Sequence, residues 1–370
     1  MKVGILTYHR SVNYGAFLQA FCLCSKINSI PGYQAEIIDF TMQKEEDRRH
    51  VGSFAKHPLK MPYYYRLIRT FEKSANLLPL SGNRIVTDDS ELFRKSVYGK
   101  YDIIVCGSDE IWNTGNYRGF PNPYWLIGDY GCRKVSYAAS SRVNFDAVPY
   151  RNQVLDALES FEYIGVRDNT TYNNISKLHP DNVHLNCDPT FLYPLKGDRD
   201  NGKRLLNDKF HVNVNKKVIG VMCHDAQIAN YIKGLYPGVE LITLYEYNSN
   251  AHRNSTVNPF EWVDILSALD FVVTHFFHCA CFAINNDVPF YAVEIRDCQK
   301  EDSKVYDLLN RMQLTDRFSH GFHQAYSTGL LKEKMDAALL RGEKETYKEE
   351  VKKIQSLSYG FLEFLNSYNK

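Results

Sequence analysis

Residues 1–20, MKVGILTYHRSVNYGAFLQA, decide the fold. Val3 to Leu6 is an apolar run with the length and β-branched character of a buried strand. It breaks at the polar, turn-rich segment His9-Arg10-Ser11-Val12-Asn13-Tyr14-Gly15. Ala16, Phe17, Leu18, Ala20, Phe21, Leu23 and Ile27 then recur at helical spacing. Strand, glycine-bearing loop and helix open an α/β domain. The loop and helix start would aim backbone N–H groups at the carboxyl end of a parallel sheet, where anions are the natural guests. On loop chemistry alone, an ordinary βα turn with one glycine is the first reading.

Working outward, Glu36 to Phe40 (EIIDF) reads as a second strand, which makes the opening β-α-β. Residues 42–58 are crowded with charge and read as a solvated excursion or loop. Residues 61–78, MPYYYRLIRTFEKSANLL, mix aromatic and basic side chains at helical spacing. That pattern predicts a surface helix docked by its aromatic face, with a membrane-surface contact as the lesser alternative. Further strands are predicted at Tyr101–Cys106, Lys134–Ala139 and Tyr163–Asp168, with a helix over 151–162. Asn186-Cys187-Asp188-Pro189-Thr190 punctuates the chain.

The pattern then restarts. Strands are predicted at Lys217–Met222, Glu240–Leu244, Phe271–Thr274 and Pro289–Glu294, with helices over 228–235, 259–268 and from His278. Two runs of alternating strand and helix predict α/β architecture with two Rossmann-like domains, 1–193 and 210–330, facing a cleft. A charged helical segment, 331–370, would pack back across them.

Composition narrows the function. The 44 Lys and Arg balance 43 Asp and Glu, so no global field attracts nucleic acid and an anionic ligand must be held locally. Nine scattered cysteines, mostly in apolar runs, fit reduced thiols in a cytoplasm. Cys22 and Cys24 are spaced C-x-C, as are Cys279 and Cys281, and lack the paired C-x-x-C of a zinc site. No metal is expected. No apolar segment is long enough to span a bilayer, and the first apolar run is too short for a signal peptide.

Three later segments carry candidate chemistry. In Val105-Cys106-Gly107-Ser108-Asp109-Glu110-Ile111-Trp112-Asn113, Gly107 would let backbone approach a ligand. Ser108 and Asp109 would cap the next helix, and Trp112 would offer a flat face. A capped helix with a packed Trp is the alternative. Arg167, at a strand end, is suited to gripping a carboxylate or phosphate, or else pairs with a nearby acid. His278 would begin a helix, where the dipole favours a neutral imidazole, while His275 reads as a core residue.

In order, YHRSVNYGAFLQAF, EIIDF, CGSDEIWN, KVSYAASS, VRD, CDPTFL and VTHFFHCACFAINNDVPF resemble the polysaccharide pyruvyl transferase family. DLLNRMQLTDRF, ending at Phe318, is similar to the family's late segment. The resemblance implies a GT-B-like pair of Rossmann-like domains. It also implies transfer of the enolpyruvyl unit of phosphoenolpyruvate to a sugar as a ketal, with phosphate released. The acceptor would be a glycan or lipid-linked sugar, with no cofactor beyond the donor.

On this resemblance His278 is the acid/base and Arg167 grips the donor. Asn13, Tyr14, Gly15, Gly107, Ser108, Asp109 and Trp112 shape the cleft. Lys304, after the last predicted strand, would add a positive group unless it is a surface lysine. Family members carry Arg where this chain has Phe276, Gly where it has Cys279, and Gln where it has Glu110. Losing the Arg removes one anion-binding donor. A nucleotide-sugar glycosyltransferase using Glu294 for the ribose is the second reading, and a non-catalytic carbohydrate-binding relative the third.

Overall fold

The computed structural model describes residues 1–51, 60–223, 227–244 and 255–368. It separates into two compact units. The first comprises Met1–Pro58, Glu72–Tyr193 and Ile354–Lys370, and the second Leu59–Phe71 and Pro194–Lys353.

The first unit is built on β1 (Lys2–Leu6), β2 (Gln34–Ile37), the short pair β3 (Phe40–Thr41) and β4 (Ile85–Val86), then β5 (Ile103–Cys106), β6 (Arg133–Ala139), β7 (Tyr163–Val166) and β8 (Val183–Leu185). Six of these form one sheet in the order β2-β1-β5-β6-β7-β8, parallel throughout. The runs KVGIL and IIVC read as unbroken apolar strands because a parallel sheet is covered on both faces. The order reverses between β1 and β5, and that switch point leaves a crevice at the strands' carboxyl ends.

The second unit repeats the plan with β9 (Val218–Met222), β10 (Glu240–Ile242), β11 (Phe271–Thr274), β12 (Phe290–Glu294) and β13 (Phe318–His320). Their order is β10-β9-β11-β12-β13, again parallel, so its switch point falls between β9 and β11.

Local chemistry sets the helix starts. Asn13 caps the helix Tyr14–Asn28 by accepting from Ala16 N at 3.2 Å. Asn258 and Glu261 form a reciprocal capping box ahead of Pro259, opening the helix Pro259–Ala268. Helix Met61–Ser74 buries Tyr63, Leu67, Ile68 and Phe71, while Met61 and Tyr65 are exposed. Its packed stripe follows the predicted aromatic face.

Several expectations are corrected. Gln43–Val51 is a helix rather than a loop; the rest of the predicted excursion, 52–58, lies outside the described residues. No helix follows β5. Residues 107–132 run as turns with one 3-10 turn at Pro123–Trp125, because Asp109 and Leu126 adopt left-handed backbone and glycine and proline recur. The division of the chain also differs. Leu59–Phe71 joins the second unit, and of the C-terminal helices only Ile354–Lys370 joins the first. There Tyr33 Oη donates to Leu365 O at 2.6 Å, and Ser358 Oγ lies 2.8 Å from Tyr137 Oη.

All nine cysteines are free thiols. Among the described residues no helix is long and apolar enough to cross a membrane, and no group of three or more His, Cys, Asp or Glu could hold a metal.

Candidate functional site

At the first unit's switch point, the loops leaving β1 and β5 are tied together. Gly107 N donates to Leu6 O at 3.0 Å, Thr7 Oγ1 to Ser108 O at 2.8 Å and Tyr8 Oη to Glu110 O at 3.1 Å. Buried Gln19, on helix Tyr14–Asn28, donates to Thr7 Oγ1 at 2.9 Å and Tyr8 O at 3.1 Å. This web ties the loop after β1 to the turn after β5 and to the helix that Asn13, Tyr14 and Gly15 open. Asn13 is committed to its cap, and Tyr14 is buried.

Gly107 is required here by the close approach of β6. Its φ is +132°, and a Cβ would lie 2.1 Å from Tyr137 O on β6. Ser108 is fully buried, and its Oγ has no hydrogen-bond partner among the described residues. A buried hydroxyl without a partner at a switch point is one a ligand could satisfy. Trp112 offers no face: it is fully buried and stacked on Trp125, with ring centroids 5.3 Å apart. Its Nε1 donates to Tyr124 O at 3.3 Å. The apolar body of the indole and a nearby carbonyl explain the burial.

Arg167 follows β7 and is 2% exposed. Its Nη1 donates to Asp188 Oδ2 at 2.9 Å, and its Nη2 lies 3.4 Å from Asp109 Oδ1. Burial works against the guanidinium's charge, but Asp188, Asp109 and Asp168 outweigh it and hold its pKa above the ordinary value. Asp168 itself caps the helix Asn169–Ser176, accepting from Thr171 N at 2.8 Å and from Ser140 Oγ at 2.6 Å. Asp188 likewise accepts from Thr190 N at 3.0 Å. The acid expected beside Arg167 is therefore Asp188, twenty-one residues along, with Asp109 at longer range.

A second charged cluster was not singled out from the sequence. Arg10 grips Asp39 with Nε to Oδ1 at 2.5 Å and Nη2 to Oδ2 at 2.6 Å. His9, buried, places Nε2 3.3 Å from the same Oδ1 and Nδ1 3.0 Å from Thr7 O. Burial raises the Asp39 carboxyl, yet hydrogen bonds from His9 and Arg10 and the Arg10 charge win, holding it well below the carboxylate range. The signal was available. His9 and Arg10 follow β1, Asp39 follows β2, and adjacent parallel strands bring their carboxyl ends together.

At the second unit's switch point, His275 N continues the ladder to Met222 O at 3.2 Å. Phe276 N donates to Thr274 Oγ1 at 3.0 Å, and Phe276 is the N-cap of the helix Phe277–Asn285. Its ring lies 3.9 Å from that of His275. His278 is the second helical residue, half-buried, with Phe277 edge-on at 5.2 Å. Cys279 behind it is buried, and burial pushes its thiol up to about 12, which rules it out as a thiolate at neutral pH. Lys304 is not a surface lysine. It is 7% exposed and opens the helix Lys304–Arg311, and β13 follows it, so it does not lie after the last strand.

Solved structures of similar shape are GT-B fold enzymes. A UDP-GlcNAc 2-epimerase from Neisseria meningitidis, bound to UDP-GlcNAc, aligns with a TM-score of 0.55 at 11% identity over 99% of this chain and 100% of its own. The UDP-GlcNAc 2-epimerase from Methanocaldococcus jannaschii aligns at 0.56 and 10% identity, over 99% and 100%. At such identity the likeness is one of fold. No curated protein matches the sequence. Residues 13–297, which hold the loop of Asn13, the Gly107 turn, Arg167 and the His278 helix, match the family described as polysaccharide pyruvyl transferase, and to that family the chain belongs.

Proposed function

We propose that this protein transfers the enolpyruvyl unit of phosphoenolpyruvate to a sugar of a polysaccharide or glycolipid precursor. The donor's methylene carbon takes a proton, which leaves an oxocarbenium-like centre at the adjacent carbon. One acceptor hydroxyl adds there as its proton is removed. Phosphate then departs, and a second hydroxyl closes the pyruvate ketal as its proton passes to the released phosphate. The observation that carries this reading is the family match across residues 13–297.

The chemistry needs an acid/base and groups that hold two anions. His278, at the start of a helix beyond β11, is the proton carrier in this reading. Asn13, Tyr14 and Gly15 open a helix whose N-terminal N–H groups suit a phosphate. Arg167 reaches the donor by exchanging its contact to Asp109 at 3.4 Å, while Asp188 keeps hold of it. Ser108 Oγ supplies a further polar contact, and buried Lys304 a second cation. The proposal gives Trp112 no contact with substrate.

The glycosyltransferase reading would need Glu294 for a ribose. That carboxylate instead accepts from Arg296 N at 3.0 Å and from its guanidinium at 2.9 and 2.5 Å, and is 5% exposed. The test is phosphate release from phosphoenolpyruvate against a panel of glycans, with the ketal identified in the product. Release of a nucleotide from a nucleotide sugar, with phosphoenolpyruvate inert, would overturn the proposal.

A further inference from the structure

The residues above lie at the carboxyl ends of the strands. The opposite edge of the second unit's sheet carries a feature that this chemistry does not use. Where the chain enters β9, residues 214–217 run beside the first turns of the helix Arg199–Phe210 and enclose a cavity of about 210 Å³.

Its walls are charged in one sense. Arg199 and Lys203 come from the helix, Lys216 and Lys217 from the approach to β9, and Asp270 is the one acid lining it. Arg199, Lys203 and Leu206 are spaced i, i+4 and i+7, so they share one stripe with the leucine as the apolar backing. Lys217 is answered by Asp270 at 3.1 Å, and Lys216 by Glu240 at 3.1 Å outside the cavity. Asp198 is turned to its own helix, accepting from Asp200 N and Asn201 N at 3.0 Å each. Arg199 and Lys203 have no carboxylate partner among the described residues.

Four cations around one concavity, with two left unanswered, concentrate positive potential where a small anion would enter. The volume is below the 300–1,000 Å³ or so of sites for drug-sized ligands. It suits a diphosphate or a phosphorylated small molecule. We propose that this cavity binds a soluble phosphate compound of two or more negative charges, at a site separate from the reaction centre.

The probe is inorganic pyrophosphate, titrated calorimetrically into the full chain at low ionic strength. Saturable binding with Kd below about 1 mM is expected. The double variant Arg199→Ala/Lys203→Ala should weaken it at least about tenfold, because two charge-assisted contacts are lost. Both positions are exposed on a helix that alanine favours, so the variant should fold. Absence of binding overturns the proposal. So does binding that the double variant leaves unchanged, which would belong to another site. A third arm sediments the protein with vesicles containing anionic phospholipid. Capture by vesicles without pyrophosphate binding would make the patch a lipid-headgroup surface and overturn the soluble ligand.

Discussion

Arg167 and Asp188 form a buried ion pair, with Nη1 2.9 Å from Oδ2 and both side chains almost wholly enclosed. The pair ties the end of β7 to the turn after β8. Arg167 is therefore a structural brace of the first unit. Arg167→Lys should destabilise the protein in the absence of any ligand. Lysine keeps a charge but loses the planar fork, and should cost about 1.5–3 kcal/mol. Arg167→Met strands buried carboxylates and should cost about 3–5 kcal/mol. Urea denaturation measures both; unfolding midpoints equal to the parent's would contradict the brace.

The exchange proposed at Arg167 has its own signature. If the donor displaces Asp109 from the guanidinium, Asp109→Asn removes a competitor and should lower the KM for phosphoenolpyruvate several-fold. Asparagine tolerates the left-handed backbone at this position, where φ is +84°. It also keeps an oxygen for Glu110 N, which donates to Asp109 Oδ1 at 2.8 Å. A raised or unchanged KM would mean that Asp109 never leaves.

His278→Gln preserves size and some hydrogen bonding but cannot cycle a proton. Turnover should fall roughly 10²–10⁴-fold, with donor binding within a few-fold of the parent. His275→Gln serves as the control, since its ring packs on Phe276 and is assigned no chemistry. Equal losses in the two variants would refute the assignment of the proton to His278.

Asp39 makes a pH prediction. Its folded pKa is depressed by His9 and Arg10. Its contribution to stability is therefore fully present above the unfolded carboxylate value of about 3.9, and is lost as pH falls below it toward the folded value. Asp39→Asn should lower the unfolding midpoint by a constant amount from pH 7 to pH 5, and the gap should narrow below about pH 4. A gap that persists unchanged at acid pH would show that the charge on Asp39 contributes nothing.

Gly107→Ala tests the β-strand approach. A methyl group there meets Tyr137 O at 2.1 Å, against a backbone that cannot step aside, and φ is +132°. Soluble yield and thermal midpoint should both fall sharply. A variant as stable as the parent would mean that the loop after β5 can relax away from β6.

Strands were legible where burial on both faces gave a near-continuous apolar run, as in FVVT at 271–274 and FYAVE at 290–294. Helices were legible where a cap or proline marked the start. Gln43–Val51 escaped because QKEEDRR has no apolar stripe, although Gln, Lys, Glu and Arg are all good helix formers. The segment after Cys106 misled in the other direction. Ser108 and Asp109 look like caps, but the left-handed backbone at Asp109 turns the chain away from a helix. Arg167 and Lys304 were singled out, but their burial was not foreseen, since that depends on partners remote in sequence. His9, Arg10 and Asp39 were within reach once β1 and β2 were paired.

The first unit borrows residues 354–367 from beyond the whole of the second. Ser358 is buried against Tyr137 and Cys187, and Leu365 accepts from Tyr33. During synthesis, then, the opening β-α-β emerges first and still waits for its last helix until more than three hundred later residues have left the ribosome. Order of translation and order of completion are reversed. The half made first is finished last, and a ribosome stalled within the second unit would hold an N-terminal half with Tyr33 and Tyr137 still uncovered.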